Sequence, residues 1–271
     1  RCLVGSEMCI RDSMYIEHFV VNPRHIEFQI LADSFGNVIH LGERDCSIQR
    51  NHQKMIEESP SAAVSPELRE KMGHAAVTAA KAAGYVNAGT IEFLLEPDGK
   101  FWFMEMNTRI QVEHPVTEWV TGIDLVKEQL KIASGMPLEI SQEDVRIQGH
   151  AIECRINAEN PQKNFRPSPG TIQGAHFPGG NGIRVDTCVY NGCKIPPYYD
   201  SMLAKLIVHA GNRKEAIAKM QSALGEVIID GIDTNIDYQY EILKDEDYQS
   251  GNFDTGFLAS HIIAGVKINE N

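Results

Sequence analysis

Hydrophobic and polar residues alternate in the first part of the chain, with the two-residue period of β-strands. In the clearest segment, the apolar members are Ile26, Phe28 and Ile30, and the polar members are Glu27 and Gln29. Turn-forming residues at 33–37 separate this segment from another apolar run at 38–41. Residues 15–47 therefore predict strands that bury one face.

Helices are predicted where helix-capping residues stand at both ends of a segment that lacks the two-residue period of a strand. Ser65 and Pro66 open the first helix as an N-cap and a first-turn proline, and Gly84 ends it. Residues 124–134 and 213–225 predict two further helices. The chain therefore mixes helices with strands.

Short predicted strands, at 150–156, 182–189 and 202–209, dominate the second half of the chain. We therefore predict a boundary between two α+β domains at 135–146. The predicted segments are 14–135, 146–261 and a polar tail at 262–271. Residues 1–13 resemble a translated sequencing adapter and are set apart from the fold.

A predicted β-hairpin carries the strongest chemical signal. Its strands are 91–96 and 101–106, joined by the turn sequence Pro-Asp-Gly-Lys at 97–100. A four-residue loop opposes Glu96 to Phe101, Leu94 to Phe103, and Glu92 to Glu105. The other face is apolar and predicted to be buried; its members are Ile91, Phe93, Leu95, Trp102, Met104 and Met106. Burial of that face fixes the register, so the Cβ atoms of Glu92 and Glu105 lie about 5 Å apart.

Opposed like charges destabilise a strand pair unless water or a cation relieves them. Exposure of both side chains to water is one resolution. The other is a divalent cation, Mg²⁺ or Mn²⁺, bound by the side-chain oxygens of Glu92, Glu105 and Asn107. The residues that follow favour the cation.

Polar and apolar residues alternate beyond the hairpin. The polar members are Glu105, Asn107, Arg109, Gln111 and Glu113. An extended chain would point all five the same way, with Arg109 suited to bind an anion and Glu113 suited to accept a proton. A solvated edge strand is the alternative, although edges favour lysine and threonine. Pro115 ends the run, which favours a functional loop.

Charge and composition narrow the function classes. The 271 residues carry a net charge of -12 and a pI near 5.3, which disfavours a general binder of nucleic acids or anionic membranes. No apolar run approaches the roughly 20 residues of a membrane-spanning helix. Six cysteines without CxxC spacing suit a reducing compartment. We therefore expect a soluble cytoplasmic protein.

The motif EMNTRIQVEHPVTE at 105–118 resembles the signature of biotin carboxylases, which are ATP-grasp ligases. The resemblance runs from Met14 to about His261 and includes NPRHIEFQILAD (22–33), ERDCSIQRNHQK (43–54), GHAIECRINAE (149–159) and PPYYDSM (196–202). It implies an α+β fold in which a partial ATP-grasp domain with an antiparallel sheet precedes a smaller C-terminal domain. It also implies a C-terminal fragment of a carbon–nitrogen ligase that carboxylates biotin.

The resemblance implies a site for ATP with Mg²⁺ or Mn²⁺. The implied nucleotide contacts are Glu17, His18, Phe19, Val20, His25, Gln49, His52, Glu92, Leu94 and Glu105. The implied metal ligands are Glu92, Glu105 and Asn107. The family usually has lysine where His18 stands, so that contact is expected through the backbone. Without the resemblance, the histidines and Leu94 would be interpreted as structural residues.

A bicarbonate and biotin site is implied at Lys54, Arg109, Gln111, Val112 and Arg155, with Lys54, Arg109 and Glu113 as catalytic residues. Glu113 would deprotonate bicarbonate, whose conjugate base attacks the γ-phosphate of ATP to give carboxyphosphate. Carboxyphosphate would release CO₂ and phosphate, the phosphate would deprotonate biotin, and Arg155 would stabilise the resulting anion.

The residues alone leave alternatives to these roles. Lys54 is also explained as a surface lysine, and Arg155 as the partner of Glu153 or Glu159 in a structural ion pair. Another ATP-grasp ligase, of the carbamoyl-phosphate synthase type, and a non-catalytic dimerising fragment are the alternative functions.

Partners are also implied by the resemblance: a biotin carboxyl carrier protein, carboxyltransferase subunits and a second copy in a homodimer, but no nucleic acid or membrane. The carrier is expected as a separate protein or beyond Asn271, and the short tail favours an acetyl-CoA carboxylase subunit. The family's glycine-rich phosphate loop and upstream lysines would precede Met14. The chain alone is therefore expected to lack useful activity.

Overall fold

An eight-stranded antiparallel sheet forms the centre of the computed structural model, which describes residues 18–268. The strands are β1 (Arg24–Ala32), β2 (Val38–Arg50), β3 (Gln53–Ser59), β4 (Asn87–Leu95), β5 (Phe101–Asn107), β6 (His150–Asn157), β7 (Glu159–Asn160), β8 (Arg166–Pro167), β9 (Gly170–Thr171), β10 (Gly174–His176), β11 (Ile183–Thr187), β12 (Lys194–Ile195), β13 (Met202–Ala210), β14 (Ile228–Asp230), β15 (Ile262–Ile263) and β16 (Val266–Lys267). The helices are α1 (Pro66–Ala82), α2 (His114–Thr121), α3 (Leu125–Ala133), α4 (Arg213–Glu226), α5 (Ile236–Lys244), α6 (Glu246–Ser250) and α7 (Phe257–Ser260). The order of the strands in the central sheet is β11-β13-β6-β3-β2-β1-β4-β5.

The central sheet joins both halves of the chain. Strand β3 pairs with β6, from Ile56 opposite Cys154 to Ser59 opposite Ala151. The predicted boundary at 135–146 falls between β5 and β6, so hydrogen-bonded sheet continues on both sides of it. The division of the chain into two domains stays a prediction.

Buried apolar side chains attach the helices to this sheet. Met72 of α1 packs in one cluster with Phe28 of β1, and Met220 of α4 packs in another with Leu206 of β13. Helix α2 lies against β6 and β13. Burial of apolar surface at these contacts holds α2, and the loop that leads into it, against the sheet.

The predicted helices are confirmed. In α1 the hydroxyl of Ser65 accepts a hydrogen bond from the N–H of Leu68, and Gly84 follows the helix with a φ of +61°. The strand β3 and the helices α2 and α5 were not predicted. In α2 the available signal was Pro115 in the first turn, followed by apolar residues at helical spacing.

The hairpin has the predicted opposition of Glu92 and Glu105, but a different register near its turn. The predicted pairs of Glu96 with Phe101 and Leu94 with Phe103 were wrong. Leu95 faces Phe101 and Leu94 faces Trp102, and an unpaired Met104 forms a β-bulge that restores the register at Glu105. The predicted burial of Trp102 and Met104 was also wrong, since these side chains are 41% and 40% exposed.

The extended run predicted to reach Glu113 stops earlier. Strand β5 ends at Asn107, the chain turns at 112–113, and α2 begins at His114. Pro115 therefore lies in a helix rather than in a loop. None of the helices within residues 18–268 is long and apolar enough to cross a membrane.

Candidate active site

A cleft of about 1050 Å³ lies beside the β2–β3 and β4–β5 hairpins and the loop at 108–113. The predicted site residues that line it are Phe19, Val20, His25, Gln49, His52, Lys54, Glu92, Leu94, Glu105, Asn107, Arg109, Gln111, Val112, Glu113 and Arg155. His18 lies outside this lining, with its ring 4.9 Å from that of Trp102, and Glu17 lies outside the described residues. The fold thus brings these side chains together, while their roles stay predictions.

The predicted metal ligands converge where β4 faces β5. The amide Nδ2 of Asn107 donates hydrogen bonds to one oxygen of Glu92 and one of Glu105, both at 2.9 Å. The amide nitrogen lies between the two carboxylates, where a bridging cation would bind. Rotation of the amide would offer its oxygen as a third ligand. Three oxygen donors of this kind fit Mg²⁺ or Mn²⁺.

Glu92 is the most connected of these ligands and is only 3% exposed, so exposure to water relieves Glu105 alone. Oε1 of Glu92 accepts hydrogen bonds from Lys54 at 3.2 Å and Gln111 at 2.7 Å. Oε2 lies 2.7 Å from Nε2 of His25. Burial raises the pKa of Glu92, but the hydrogen bond to His25 and the charge of Lys54 outweigh it and lower the pKa to about 2.

Lys54 lies where three carboxylates meet. Its Nζ is 2.5 Å from Glu27, 2.6 Å from Glu113 and 3.2 Å from Glu92, and its side chain is 11% exposed. Burial disfavours the ammonium charge, but these carboxylates, Glu27 above all, hold the pKa of Lys54 above its ordinary value. Lys54 is therefore not an ordinary surface lysine.

Arg155 bridges the carboxylates of Glu57 and Glu113. Its Nε donates to Glu57 at 2.6 Å, and its Nη2 donates to Glu113 at 2.9 Å. The alternative ion pair with Glu153 or Glu159 was wrong, because Arg155 pairs with Glu57 and Glu113 instead. Glu113, which is 1% exposed, thus has a cation at each oxygen.

Two opposed carboxyl groups lie buried behind Arg155. Glu57 of β3 faces Glu153 of β6 in register, and both are 0% exposed. Within the described part of the chain, neither oxygen of Glu153 has a hydrogen-bond partner. Burial raises the pKa of Glu57 to about 7, and burial together with Glu57 raises the pKa of Glu153 well above its ordinary value. Both shifts reflect the cost of burying two carboxyl groups opposite each other.

Arg44 and Glu27 belong to the same network, although the sequence did not single them out as site residues. A row of charges alternates in sign along Arg44, Glu27, Lys54, Glu113, Arg155 and Glu57. Burial raises the pKa of Glu27, but Arg44 and Lys54 outweigh it and lower the pKa to about 2. The one feature of the sequence that could have indicated this role for Glu27 was its position on the polar face of β1.

The cleft lining also has less polar members. They include Phe19, Val20 and Leu94, beside Gln49 and His52 of the β2–β3 hairpin. The two-residue turn of that hairpin has both members in the left-handed region, with φ of +49° and +62°. An apolar surface beside a few polar groups suits a flat heterocycle such as adenine.

The groups that line the cleft define the chemistry that it can support. They include apolar side chains, oxygen ligands for a cation, the cationic side chains of Lys54 and Arg109, and the carboxylate of Glu113. A nucleoside triphosphate, a divalent cation and a small oxyanion with a proton to lose could bind among them. This arrangement supports phosphoryl transfer to an oxyanion.

Comparisons with known proteins agree with this geometry. The family model "Carbamoyl-phosphate synthase L chain, ATP binding domain" matches residues 5–141, and "Biotin carboxylase C-terminal domain" matches residues 153–260. Biotin carboxylase 1 of Bacillus subtilis is 58% identical over 93% of the chain and 56% of its own length. The biotin carboxylase of Haemophilus influenzae is 54% identical over 91% of the chain and 55% of its own length.

A solved structure shows the same fold. The biotin carboxylase domain dimer of Hydrogenobacter thermophilus 2-oxoglutarate carboxylase, in complex with MgADP, ADP and bicarbonate, is 54% identical, with a TM-score of 0.88. The match covers 90% of the chain and 54% of that structure's chain. The present chain thus spans about half the length of the curated relatives that it matches.

Proposed function

Since this chain belongs to the biotin carboxylase family, we propose that its parent protein carboxylates biotin on a carrier protein, using ATP and bicarbonate. The reaction is the first half-reaction of acetyl-CoA carboxylase. It forms a carbon–nitrogen bond, so the parent is a ligase.

The placement of Glu113 carries this proposal. The carboxylate is buried in the cleft between the cations Lys54, at 2.6 Å, and Arg155, at 2.9 Å. Gln111 and Arg109 line the same cleft. A small anion that binds among these donors meets one carboxylate able to take its proton.

In the first part of the proposed reaction, the cleft residues bind and deprotonate bicarbonate. Glu113 takes the proton of bicarbonate while Lys54, Arg109, Gln111 and the N–H of Val112 hold the anion. The carbonate oxygen then bonds to the γ-phosphorus of ATP, and the bond to ADP breaks to leave carboxyphosphate. Each oxygen of Glu113 accepts one hydrogen bond, so each keeps a second lone pair that can take the proton.

Biotin reacts in the second part of the sequence. Carboxyphosphate splits into CO₂ and phosphate, and the phosphate takes the proton of the ureido nitrogen. Arg155 stabilises the charge on the ureido oxygen, and the nitrogen then bonds to CO₂. Arg155 is suited to this step because it lines the cleft and its guanidinium is held by Glu57 and Glu113.

In this proposal the base of the nucleotide lies against Phe19, Val20 and Leu94, with its phosphates toward Glu92 and Glu105. Those two carboxylates and Asn107 would hold Mg²⁺ or Mn²⁺. The cation would supply positive charge against the phosphate oxygens.

The alternative is a ligase of the carbamoyl-phosphate synthase type, because the family model that matches residues 5–141 is named after the ATP-binding domain of that enzyme. The match of residues 153–260 to the biotin carboxylase C-terminal domain favours the biotin reaction. The relative from Bacillus subtilis, at 58% identity, favours it as well.

The proposal includes partners and a location. The partners are a biotin carboxyl carrier protein, carboxyltransferase subunits and a second copy of the parent. A solved relative described as a biotin carboxylase domain dimer supports the homodimer. Cys46, Cys154, Cys188 and Cys193 form no disulfide in the described part, which supports a reducing compartment such as the cytoplasm.

An isotope-transfer assay on the full-length parent tests the function. Labelled bicarbonate, Mg²⁺ and ATP are supplied with free biotin or a biotinylated carrier. We expect acid-labile label on biotin and one ATP consumed for each label transferred. Consumption of ATP that requires an ammonia donor and leaves biotin unlabelled would instead identify the carbamoyl-phosphate type of ligase.

A further inference from the structure

Arg44 is fully buried beneath the cleft, and all five of its N–H groups donate hydrogen bonds. The acceptors are Glu27 Oε1 at 2.5 Å, Gln29 Oε1 at 2.8 Å, Thr117 Oγ1 at 2.9 Å, Gln111 Oε1 at 3.0 Å and Thr90 Oγ1 at 3.2 Å. These acceptors come from β1, β4, α2 and the loop that precedes α2. The guanidinium therefore has no N–H left for a ligand, and its geometry is fixed from several sides.

The first consequence concerns Gln111, whose amide is fixed at both ends. Its oxygen accepts from Arg44 at 3.0 Å, and its nitrogen donates to Glu92 at 2.7 Å. A flipped amide would place N–H groups against the guanidinium and an oxygen against the carboxylate, so one orientation is strongly preferred. Gln111 is only 5% exposed, and the second N–H of its amide is what it can offer to the cleft.

The second consequence concerns Lys54. Arg44 donates to one oxygen of Glu27 at 2.5 Å, and Lys54 donates to the other oxygen at 2.5 Å. Since Glu27 is fully buried between the two cations, the position of Arg44 fixes the carboxylate that anchors Lys54. Two of the donors that face the anion thus depend on one buried arginine.

We propose that Arg44 is a positioning residue for the bicarbonate half of the site, an inference that rests on the proposed function. By fixing the oxygen of Gln111 away from the cleft, Arg44 leaves Glu113 as the acceptor that faces the anion. A suitable substrate therefore has several acceptor oxygens and one O–H to give, as bicarbonate does. An anion without an O–H, such as formate, would leave the Glu113 carboxylate unpaired against it.

Isosteric changes around Arg44 in the full-length parent test this role. Thr117→Val and Thr90→Val each remove one acceptor of Arg44 without touching the cleft lining. Each should raise the KM for bicarbonate about three- to tenfold, the effect of one weakened hydrogen bond, while the KM for ATP changes less than about twofold. Thr121→Val is the matched control, because Thr121 lies one turn along α2 and bonds to the backbone of Thr117 rather than to Arg44.

Arg44→Lys separates positioning from folding. A lysine keeps a charge for Glu27, but a single ammonium cannot also reach Thr117, Thr90 and Gln111 in the fixed fork of a guanidinium. The variant should keep the far-UV circular dichroism spectrum of the folded wild type, with a lowered thermal unfolding midpoint, and lose at least about tenfold in kcat/KM for bicarbonate. If it does not fold, the threonine variants decide the question.

Distinct outcomes identify which claim fails. A wild-type parent without bicarbonate-dependent ATP consumption would overturn both the proposed function and the role of Arg44. An active wild type with unchanged bicarbonate KM in both threonine variants would overturn only the role of Arg44. Equal changes in the KM for ATP and for bicarbonate would also overturn it, since they would indicate a general structural effect.

Discussion

Glu113 is a buried carboxylate with two cations, and this pairing decides how it can act. A carboxylate that is 1% exposed would be strongly destabilised without partners, and Lys54 and Arg155 supply them. Each oxygen accepts one of these hydrogen bonds and keeps a second lone pair. In the proposed reaction, Glu113 would take the proton of bicarbonate on one of these free lone pairs.

Glu113→Gln in the full-length parent tests this reasoning. The amide cannot take a proton from bicarbonate, so kcat should fall by about 10²- to 10⁴-fold. The KM for ATP should change little, because Glu113 is proposed to act on bicarbonate and not to contact ATP. Steady-state assays with free biotin measure both constants. Glu70→Gln, on the exposed side of α1, is the control, and equal losses in the two variants would contradict the role of Glu113.

His40 predicts a pH dependence of stability. Its ring packs edge-on against Phe28, and burial, reinforced by the charge of Arg69, lowers the pKa of His40 to about 4. The unfolded chain takes up this proton near pH 6.5 and the folded chain only near pH 4, so stability falls as the pH drops between these values. The expected loss is about 2–3 kcal/mol in the free energy of unfolding.

Urea unfolding at pH 7 and pH 4.5 measures this loss. His40→Gln removes the titrating group and should reduce the difference between the two pH values. His74→Gln, on the exposed face of α1, should leave the difference unchanged. A His40→Gln variant with the full pH dependence would show that other groups cause it.

Sequence patterns predicted the chemical role of single residues better than they predicted how deeply each side chain is buried. Glu92 and Glu105 follow from strand spacing, and the structure places them opposite each other. Arg44 and Glu27 lie on predicted strands too, but nothing in their spacing shows that both are 0% exposed. Burial of a charge depends on partners from distant segments, such as Thr117 on α2, and those partners become evident only in three dimensions.

At the scale of elements, the β4–β5 hairpin shows what local spacing determines and what it does not. The opposition of Glu92 to Glu105 was predicted, whereas the bulge at Met104 was not. The bulge places Trp102 beside Leu94, on the face that also carries the two carboxylates. The turn is longer than predicted, and the bulge compensates for the difference. The predicted register is therefore correct at Glu92 and Glu105 but wrong next to the turn.

The turn of the β2–β3 hairpin combines strain with a position at the cleft. His52 has a φ of +62°, a conformation that glycine adopts without cost. His52→Gly should therefore stabilise the protein by about 0.5–1 kcal/mol. It should also raise the KM for ATP several-fold, because the imidazole that lines the cleft is lost.

Denaturant unfolding and steady-state kinetics of the full-length parent measure these two effects. Ala264→Gly is a matched control, since Ala264 has a φ of +51° in the turn between β15 and β16 and does not line the cleft. The control should gain similar stability with an unchanged KM for ATP. A His52→Gly variant with normal ATP affinity would remove His52 from the nucleotide site.

At the scale of the whole molecule, the strand order is the part that spacing could not supply. The predicted strands of the second half were assigned to a separate domain, yet β6 pairs with β3 and extends the same sheet. Pairing between Ile56 and Cys154 joins positions almost 100 residues apart, and no local pattern encodes it. The family resemblance supplied the overall class of fold, but not this continuity.

A continuous sheet predicts cooperative unfolding of the two parts, and the two tryptophans can report on it. Trp102 lies on β5 at one edge of the sheet, and Trp119 of α2 stacks on His209 of β13 at 5.5 Å. In this chain, Trp102→Phe and Trp119→Phe each leave a single tryptophan as the fluorescence reporter. In each variant, the urea midpoint measured by fluorescence should coincide with the urea midpoint measured by far-UV circular dichroism.

A mutation at the pairing of β3 with β6 tests directly whether the two parts of the sheet unfold together. Ile56→Ala removes a side chain that is 2% exposed and should cost about 2–4 kcal/mol. Because Ile56 lies between the two reporters in the strand order, the cost should lower both tryptophan midpoints by the same amount. A shift confined to the Trp119 reporter, with Trp102 unchanged, would mean that the sheet separates at this junction and that the two parts fold independently.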